Sequence, residues 1–134
     1  MQIKILIVTH GQMGGEFVKT ASDIIGSAGE IEFFPVTRDF SADEIKSSFS
    51  QLMEKLLSDS AVLILTDMLG GTPTNISMPF LENDSVEIVT GLNLPMLIRT
   101  IQRKTAVESL KELASIAAGA GAEGVVNCRE VFNE

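Results

Sequence analysis

The sequence has few of the residue types on which many protein sites depend. Its 134 residues include one histidine, one cysteine, no tryptophan and no tyrosine. The lone Cys128 cannot form an internal disulfide, which fits a reducing cytoplasm. One histidine and one cysteine also make no metal-ligand set. We therefore expect no metal and no other cofactor, and a core built from Val, Ile, Leu, Met and Phe.

Positive charge is scarce as well. Ten Lys and Arg residues face 18 Asp and Glu residues, which gives a formal net charge of −8. This balance argues against nucleic acid or an anionic membrane surface as a partner, and it permits a basic protein partner. No apolar run approaches the length of a membrane span. The first strand begins so early that we expect no signal peptide, and hence a cytoplasmic protein.

Strand and helix patterns alternate along the chain, and we expect a single domain over residues 1–134. Strands are predicted at Ile3–Thr9, Ile31–Val36, Ala61–Thr66, Val86–Thr90 and Val125–Phe132. Helices are predicted over 17–25, from a capping box at Ser41 through Leu56, over Met96–Arg103, and from a second capping box at Thr105 to about Ala118. A further helix is predicted from an N-cap at Thr72 to about Leu81, and Pro79 is expected to kink or shorten it.

The strands are apolar throughout rather than alternating, which indicates a parallel sheet covered on both faces. We predict a doubly wound α/β fold with strand order 2-1-3-4 and the last strand at an edge. Ligands of such folds bind where the connections of adjacent strands leave on opposite faces, at the carboxyl ends of the strands. His10 and Asp67 follow strands one and three, so the pattern brings them together at this point.

An imidazole beside a carboxylate is suited to carrying a phosphoryl group. Asp67 can accept the Nδ1 hydrogen of His10, which leaves Nε2 free to attack phosphorus. The backbone amides of Gly70 and Gly71 can face an anion, and the helix start at Pro73 adds a favourable dipole. Thr72 can donate a hydroxyl, and Thr9 can do the same.

Each of these residues also has a purely structural interpretation. A lone histidine at a strand end is often a capping or core residue, Asp67 can be a turn residue, and Gly70-Gly71 can be a simple turn. No Walker loop and no dinucleotide-binding fingerprint occurs in the chain. The position at the switch point is what favours a function.

Three segments resemble one known family: I-L-I-V-T-H-G at the start, T-D-M-L-G-G-T-P-T-N in the middle, and T-G-L-N-L-P-M-L after strand four. The family is the IIA component of the mannose/fructose-type bacterial phosphoenolpyruvate-dependent sugar phosphotransferase system. The similarity spans nearly the whole chain, with the three segments in the same order and spacing.

The resemblance implies a function and an assembly. The histidine matching His10 would accept a phosphoryl group from the carrier protein HPr and pass it to a IIB component, which we expect to be a separate protein. Asp67 would pair with that histidine, and Thr72 would lie in the phosphoryl pocket. The family sheet adds an antiparallel edge strand that is exchanged within a homodimer, and Val125–Phe132 would be that strand here.

Two alternatives to a carrier in sugar uptake stay open. The chain could be a regulatory phosphoprotein of the same fold without a permease, or a module that binds an anion and is never phosphorylated. The sugar cannot be read from this sequence, because specificity lies in the membrane components and the IIB component.

Overall fold

A four-stranded parallel sheet forms the centre of the computed structural model, which describes residues 2–132. The order of the strands is β2-β1-β3-β4, as predicted, and all neighbouring pairs are parallel. The strands are β1 (Ile3–His10), β2 (Ile31–Val36), β3 (Ala61–Thr66) and β4 (Val86–Val89). The helices are α1 (Met13–Ile25), α2 (Ala42–Leu57), α3 (Thr72–Ser77), α4 (Leu94–Arg103), α5 (Leu110–Glu123) and α6 (Cys128–Phe132), with a 3₁₀ helix over Met78–Glu82.

Helices cover both faces of the sheet, so β1 and β3 are buried on two sides. Side chains alternate across a strand, so Ile5 and Ile7 of β1 pack in one core cluster and Leu6 and Val8 in another. The first cluster draws on α1, α4 and α5, and the second on α2 and α3. This arrangement explains the continuous apolar runs. Within residues 2–132, no helix is both long enough and apolar enough to cross a membrane.

Two capping motifs were predicted, and one is misplaced. At α2 the Ser41 hydroxyl accepts from the Glu44 N–H at 3.1 Å and the Glu44 carboxylate accepts from the Ser41 N–H at 2.9 Å, which confirms the first capping box. The predicted cap at Thr105 is wrong: α5 begins after Ser109, whose hydroxyl accepts from the Glu112 N–H at 3.1 Å. Ser109-Leu110-Lys111-Glu112 has the same S-x-x-E form, and it places Leu110 in the core.

The helix after β3 has a different N-cap from the predicted one, and it is shortened before Pro79, which is one of the two predicted effects of this proline. Gly71, not Thr72, is the N-cap, with extended φ and ψ of −83° and 166°, and its carbonyl accepts from the Asn75 N–H at 2.9 Å. The α-helix ends at Ser77 rather than near Leu81, and a 3₁₀ turn follows. Pro79 lies in that turn and lacks the N–H that a continued α-helix would need, which accounts for the change.

The predicted last strand is not formed in the single chain. Within Val125–Phe132 the structure has a short helix, α6, and all eight residues are exposed. A strand is stable only when it pairs with another edge, and the sheet contains no strand from this segment. The apolar residues that suggested a strand, such as Val125 and Phe132, lie in solvent at 78% and 80% exposure.

Candidate functional site

His10 and Asp67 form a hydrogen-bonded pair at the carboxyl ends of the two central strands. His10 is the last residue of β1, and Asp67 directly follows Thr66, the last residue of β3. Val8 and Thr66 are register partners, so the two strands bring both residues to the same edge. The imidazole Nδ1 lies 2.8 Å from Asp67 Oδ2, and the His10 backbone N–H donates to the same oxygen at 2.9 Å.

The bonding of the carboxylate determines the tautomer of the imidazole. Asp67 Oδ1 accepts from the Met68 N–H at 3.0 Å, and Oδ2 is engaged by His10. An ionised carboxylate can only accept, so Nδ1 must be the donor, and Nε2 carries the free lone pair. The His10 side chain is 49% exposed and that of Asp67 only 9%. The pair is therefore an oriented, half-exposed imidazole whose Nε2 is the nucleophilic nitrogen.

Two opposed effects act on the pKa of Asp67. Burial raises the pKa of this carboxyl. Hydrogen bonds from the His10 backbone N–H and imidazole, and the electrostatic attraction of the imidazole, lower the pKa by more than burial raises it. The net pKa lies below the ordinary value of 3.8. Asp67 is therefore ionised at neutral pH and able to hold the ring.

The loop after Asp67 passes close to the imidazole because it contains Gly70 and Gly71. Gly70 has a φ of +86°, a conformation that favours glycine. A Cβ added at Gly71 would lie 2.6 Å from His10 Cε1 and 3.3 Å from Nε2. Only glycine lets this backbone approach the ring so closely. The loop is closed by Thr74, whose hydroxyl donates to the Met68 carbonyl at 2.6 Å.

The two predicted threonines have different surroundings. Thr72 is exposed and lines the same cleft as His10, in keeping with its predicted place beside an anion. Thr9 is fully buried, and its hydroxyl accepts from the Gly14 N–H at 2.9 Å. The structure does not support the predicted donation from Thr9 to an anion, because this hydroxyl is enclosed and holds the start of α1.

Sequence reasoning missed two residues in this cleft, Thr37 and Arg38. They follow β2, whose last residue, Val36, is the register partner of His10. The Val36 carbonyl also accepts from the Gly11 N–H at 2.8 Å, which joins the two loops. The strand order 2-1-3-4 was a usable signal, since it places the end of strand two beside His10. Within residues 2–132, no three His, Cys, Asp or Glu side chains cluster in a way that could hold a metal.

The fold and the site together define a class of protein. The protein has a doubly wound α/β fold, and one half-exposed imidazole, oriented by a carboxylate, lies at the switch point of its sheet. A family model described as "PTS system fructose IIA component" matches residues 4–117, and the chain belongs to this family of sugar phosphotransferase system IIA components. Members of this family are phosphotransferases.

Individual relatives agree with this assignment. The chain is 30% identical over 126 residues to the mannose-specific EIIAB component of Escherichia coli K12, covering 93% of this chain but only 39% of that protein. It is 24% identical to the fructose-specific EIIA component of Bacillus subtilis, covering 83% of this chain and 76% of that protein. The mannose/sorbose-specific IIA subunit of Enterococcus faecalis superposes with a TM-score of 0.84 at 25% identity, covering 95% of both chains.

Proposed function

We propose that this protein is a phosphohistidine carrier, in which His10 accepts a phosphoryl group from phospho-HPr and donates it to a IIB component in sugar uptake. The observation that carries the proposal is the 2.8 Å contact between His10 Nδ1 and Asp67 Oδ2, which leaves Nε2 of this half-exposed imidazole as the nucleophile. Membership of the IIA family supports it. We propose that this phosphoryl transfer takes place in the cytoplasm.

The transfer needs little more than correct positioning. The Nε2 lone pair of His10 attacks phosphorus, the bond from phosphorus to the donor nitrogen breaks, and the donor imidazole leaves with that electron pair. The Nδ1 proton stays on His10, where Asp67 stabilises the positive ring that forms. The reverse sequence passes the group to IIB. In this proposal, the Gly70 and Gly71 amides and the Thr72 hydroxyl contact the phosphoryl oxygens.

Phosphoryl transfer from HPr tests the proposal directly. Incubation with phosphoenolpyruvate, enzyme I and HPr should give an acid-labile, base-stable adduct. His10 is the only histidine, so the His10→Ala variant should carry no label, and a reaction without enzyme I is the control. A label that survives the substitution, or a wild-type protein that is never labelled, would refute the carrier. Labelled protein that no IIB component accepts would instead favour a regulatory role.

We also propose a homodimer that forms through the carboxyl-terminal segment. Every residue of Val125–Phe132 is exposed in the single chain, and Val125 borders a groove of about 450 Å³ between β4 and α5. The free edge of β4 could pair with this segment from a second copy, which would bury its apolar side chains. Sedimentation equilibrium at micromolar concentration should show a dimer, and deletion from Val125 onward should abolish it. A monomeric full-length protein would refute the exchange but not the carrier.

A further inference from the structure

A cleft of about 580 Å³ opens beside His10 on the side of β2. The loops after β1 and β2, the first turn of α2 and the start of α3 form its walls. Its lining includes His10, Val36, Thr37, Arg38, Ile45 and Thr72. It contains the reactive histidine and a hydroxyl already proposed to contact phosphate, so its remaining polar groups bear on the same chemistry.

Among residues 2–132, Arg38 is the only charged residue that lines this cleft, apart from a protonated histidine. Its side chain is exposed, and within residues 2–132 no carboxylate oxygen lies within 4.0 Å of its guanidinium. A planar guanidinium can donate two parallel hydrogen bonds to a phosphoryl group. The five donors of Arg38 are therefore available to an anion in the cleft.

The Thr37 hydroxyl is a second, independent observation. Thr37 Oγ1 is closed off from solvent and has no hydrogen-bond partner within the described residues, and Thr37 is one of the residues that line the same cleft. A buried hydroxyl without a partner is unfavourable and uncommon in a native structure. A phosphoryl oxygen or an ordered water in the cleft would supply that partner.

The charge of a phosphorylated His10 creates a need for such donors. A phosphoryl group carries close to two negative charges at neutral pH. Here it would sit near the ionised Asp67, in a protein with a formal net charge of −8. The oxygens of the Asp67 carboxylate are directed to the other ring nitrogen and to backbone amides. A cation on the Nε2 side would offset the repulsion.

We propose that Arg38 is a phosphoryl ligand of this protein, donating to the oxygens of the group on His10 with the Thr37 hydroxyl beside it. The proposal rests on the proposed function for the placement of phosphate on His10. It assigns a role to the loop after β2, a segment outside the three motifs that identify the family.

Reaction with potassium phosphoramidate tests this role without HPr. His10 Nε2 attacks phosphorus, the phosphorus–nitrogen bond of phosphoramidate breaks, and ammonia leaves. Arg38→Gln should lower the rate of His10 phosphorylation roughly three- to tenfold, the size expected for an exposed charged contact. Arg38→Lys keeps the positive charge but loses the two parallel donors of the guanidinium, so its phosphorylation rate should lie between those of wild type and Arg38→Gln. Arg103→Gln is the matched control, since Arg103 is exposed in the last turn of α4 and its loss changes the net charge equally.

Inorganic phosphate provides a second readout that requires no transfer. Titration followed through the imidazole resonances of His10 should show weaker binding in Arg38→Gln by a similar factor, with Arg103→Gln unchanged. Equal rates and equal phosphate binding in the two Gln variants would overturn the proposal. So would a wild-type protein that neither reacts with phosphoramidate nor binds phosphate.

The two proposals fail in different ways. A protein that reacts with phosphoramidate in an Arg38-dependent manner but accepts nothing from phospho-HPr would refute the carrier and keep the phosphoryl ligand. A protein that accepts the phosphoryl group from phospho-HPr, but reacts with phosphoramidate and binds phosphate equally well with Arg38 or Gln, would keep the carrier and refute the ligand.

Discussion

Replacing Gly71 by alanine should disable the site while leaving the fold nearly intact. The added Cβ would lie 2.6 Å from His10 Cε1, far inside ordinary contact distance. Its backbone already has the extended conformation that any residue adopts, with a φ of −83° and a ψ of 166°. No backbone strain is therefore expected. The half-exposed imidazole is the part that must move.

The size of the effect follows from that displacement. Relief of the overlap requires the ring to shift by about 1 Å, and a misplacement of that size can cost about a hundredfold in rate. The 2.8 Å bond to Asp67 would lengthen out of hydrogen-bond range, and the orientation of Nε2 would be lost. Stability should fall by no more than about 1 kcal/mol, chiefly because alanine is a poorer N-cap than glycine.

Transfer from phospho-HPr and urea unfolding, measured on the same samples, separate these two effects. Gly119→Ala is the matched control, because a Cβ at this exposed position in α5 meets nothing within 4 Å. It should raise stability by about 0.5–1 kcal/mol and leave transfer unchanged. If Gly71→Ala transfers phosphate as fast as wild type, the close approach of the loop does not position His10. If Gly71→Ala fails to fold, the His10 imidazole does not move aside to accommodate the added Cβ.

Three further outcomes are expected from the geometry. Asp67→Ala should slow phosphoryl transfer from phospho-HPr about ten- to hundredfold and retain the fold, because His10 loses the carboxylate that orients it. A wild-type transfer rate in rapid-quench measurements would show that Asp67 is only a turn residue. The folded-state pKa of Asp67 is depressed, so its contribution to stability is present above its ordinary value of 3.8 and is lost as the pH falls further. The stability difference between wild type and Asp67→Asn in urea should therefore shrink below about pH 4, and a pH-independent difference would contradict this. Gly14→Ala should destabilise by about 1–3 kcal/mol in urea, because its Cβ would overlap Phe33 at 2.5 Å and Ile7 at 2.7 Å in the interior; an unchanged midpoint would refute the overlap.

The sequence was sufficient to predict the centre of the fold and the central pair of the site. β1 and β3 are continuous apolar runs that end in His10 and just before Asp67, and buried parallel strands are the only sheet elements that such runs fit. Once the strand order is inferred, the pair follows from topology. Neither step depends on packing detail, which is why both were accessible.

Features decided by tertiary context were not accessible in the same way. The chain offers the S/T-x-x-E pattern at Thr105 and again at Ser109, and only the burial of Leu110 selects the second. Thr9 and Thr72 look equivalent as hydroxyl donors, yet one is enclosed by the start of α1 and the other faces the cleft. Arg38 belongs to no motif, and the predicted strand order is the one signal that places the loop after β2 beside His10.

The carboxyl-terminal segment shows a different limit. Its valines and Phe132 give an apolar pattern that suits a strand, but a strand is a property of two paired edges, and one copy of the chain supplies no partner for this segment. In the single chain, Cys128–Phe132 form the short helix α6. In the proposed dimer a second copy would supply that partner, and sedimentation equilibrium tests this.

The surface around the site fits exchange with other proteins better than capture of a small molecule. His10 is half exposed, and large apolar side chains on the loops after β2 and β3 lie in solvent at the same end of the sheet, with Phe40 at 59% and Leu69 at 75% exposure. A small-molecule pocket would enclose these groups. Exposed apolar groups around a reactive atom are typical of a surface that a protein partner covers. Because the side chain of Asp67 is 9% exposed and that of His10 is 49% exposed, a partner can contact the imidazole while the carboxylate that orients it stays covered.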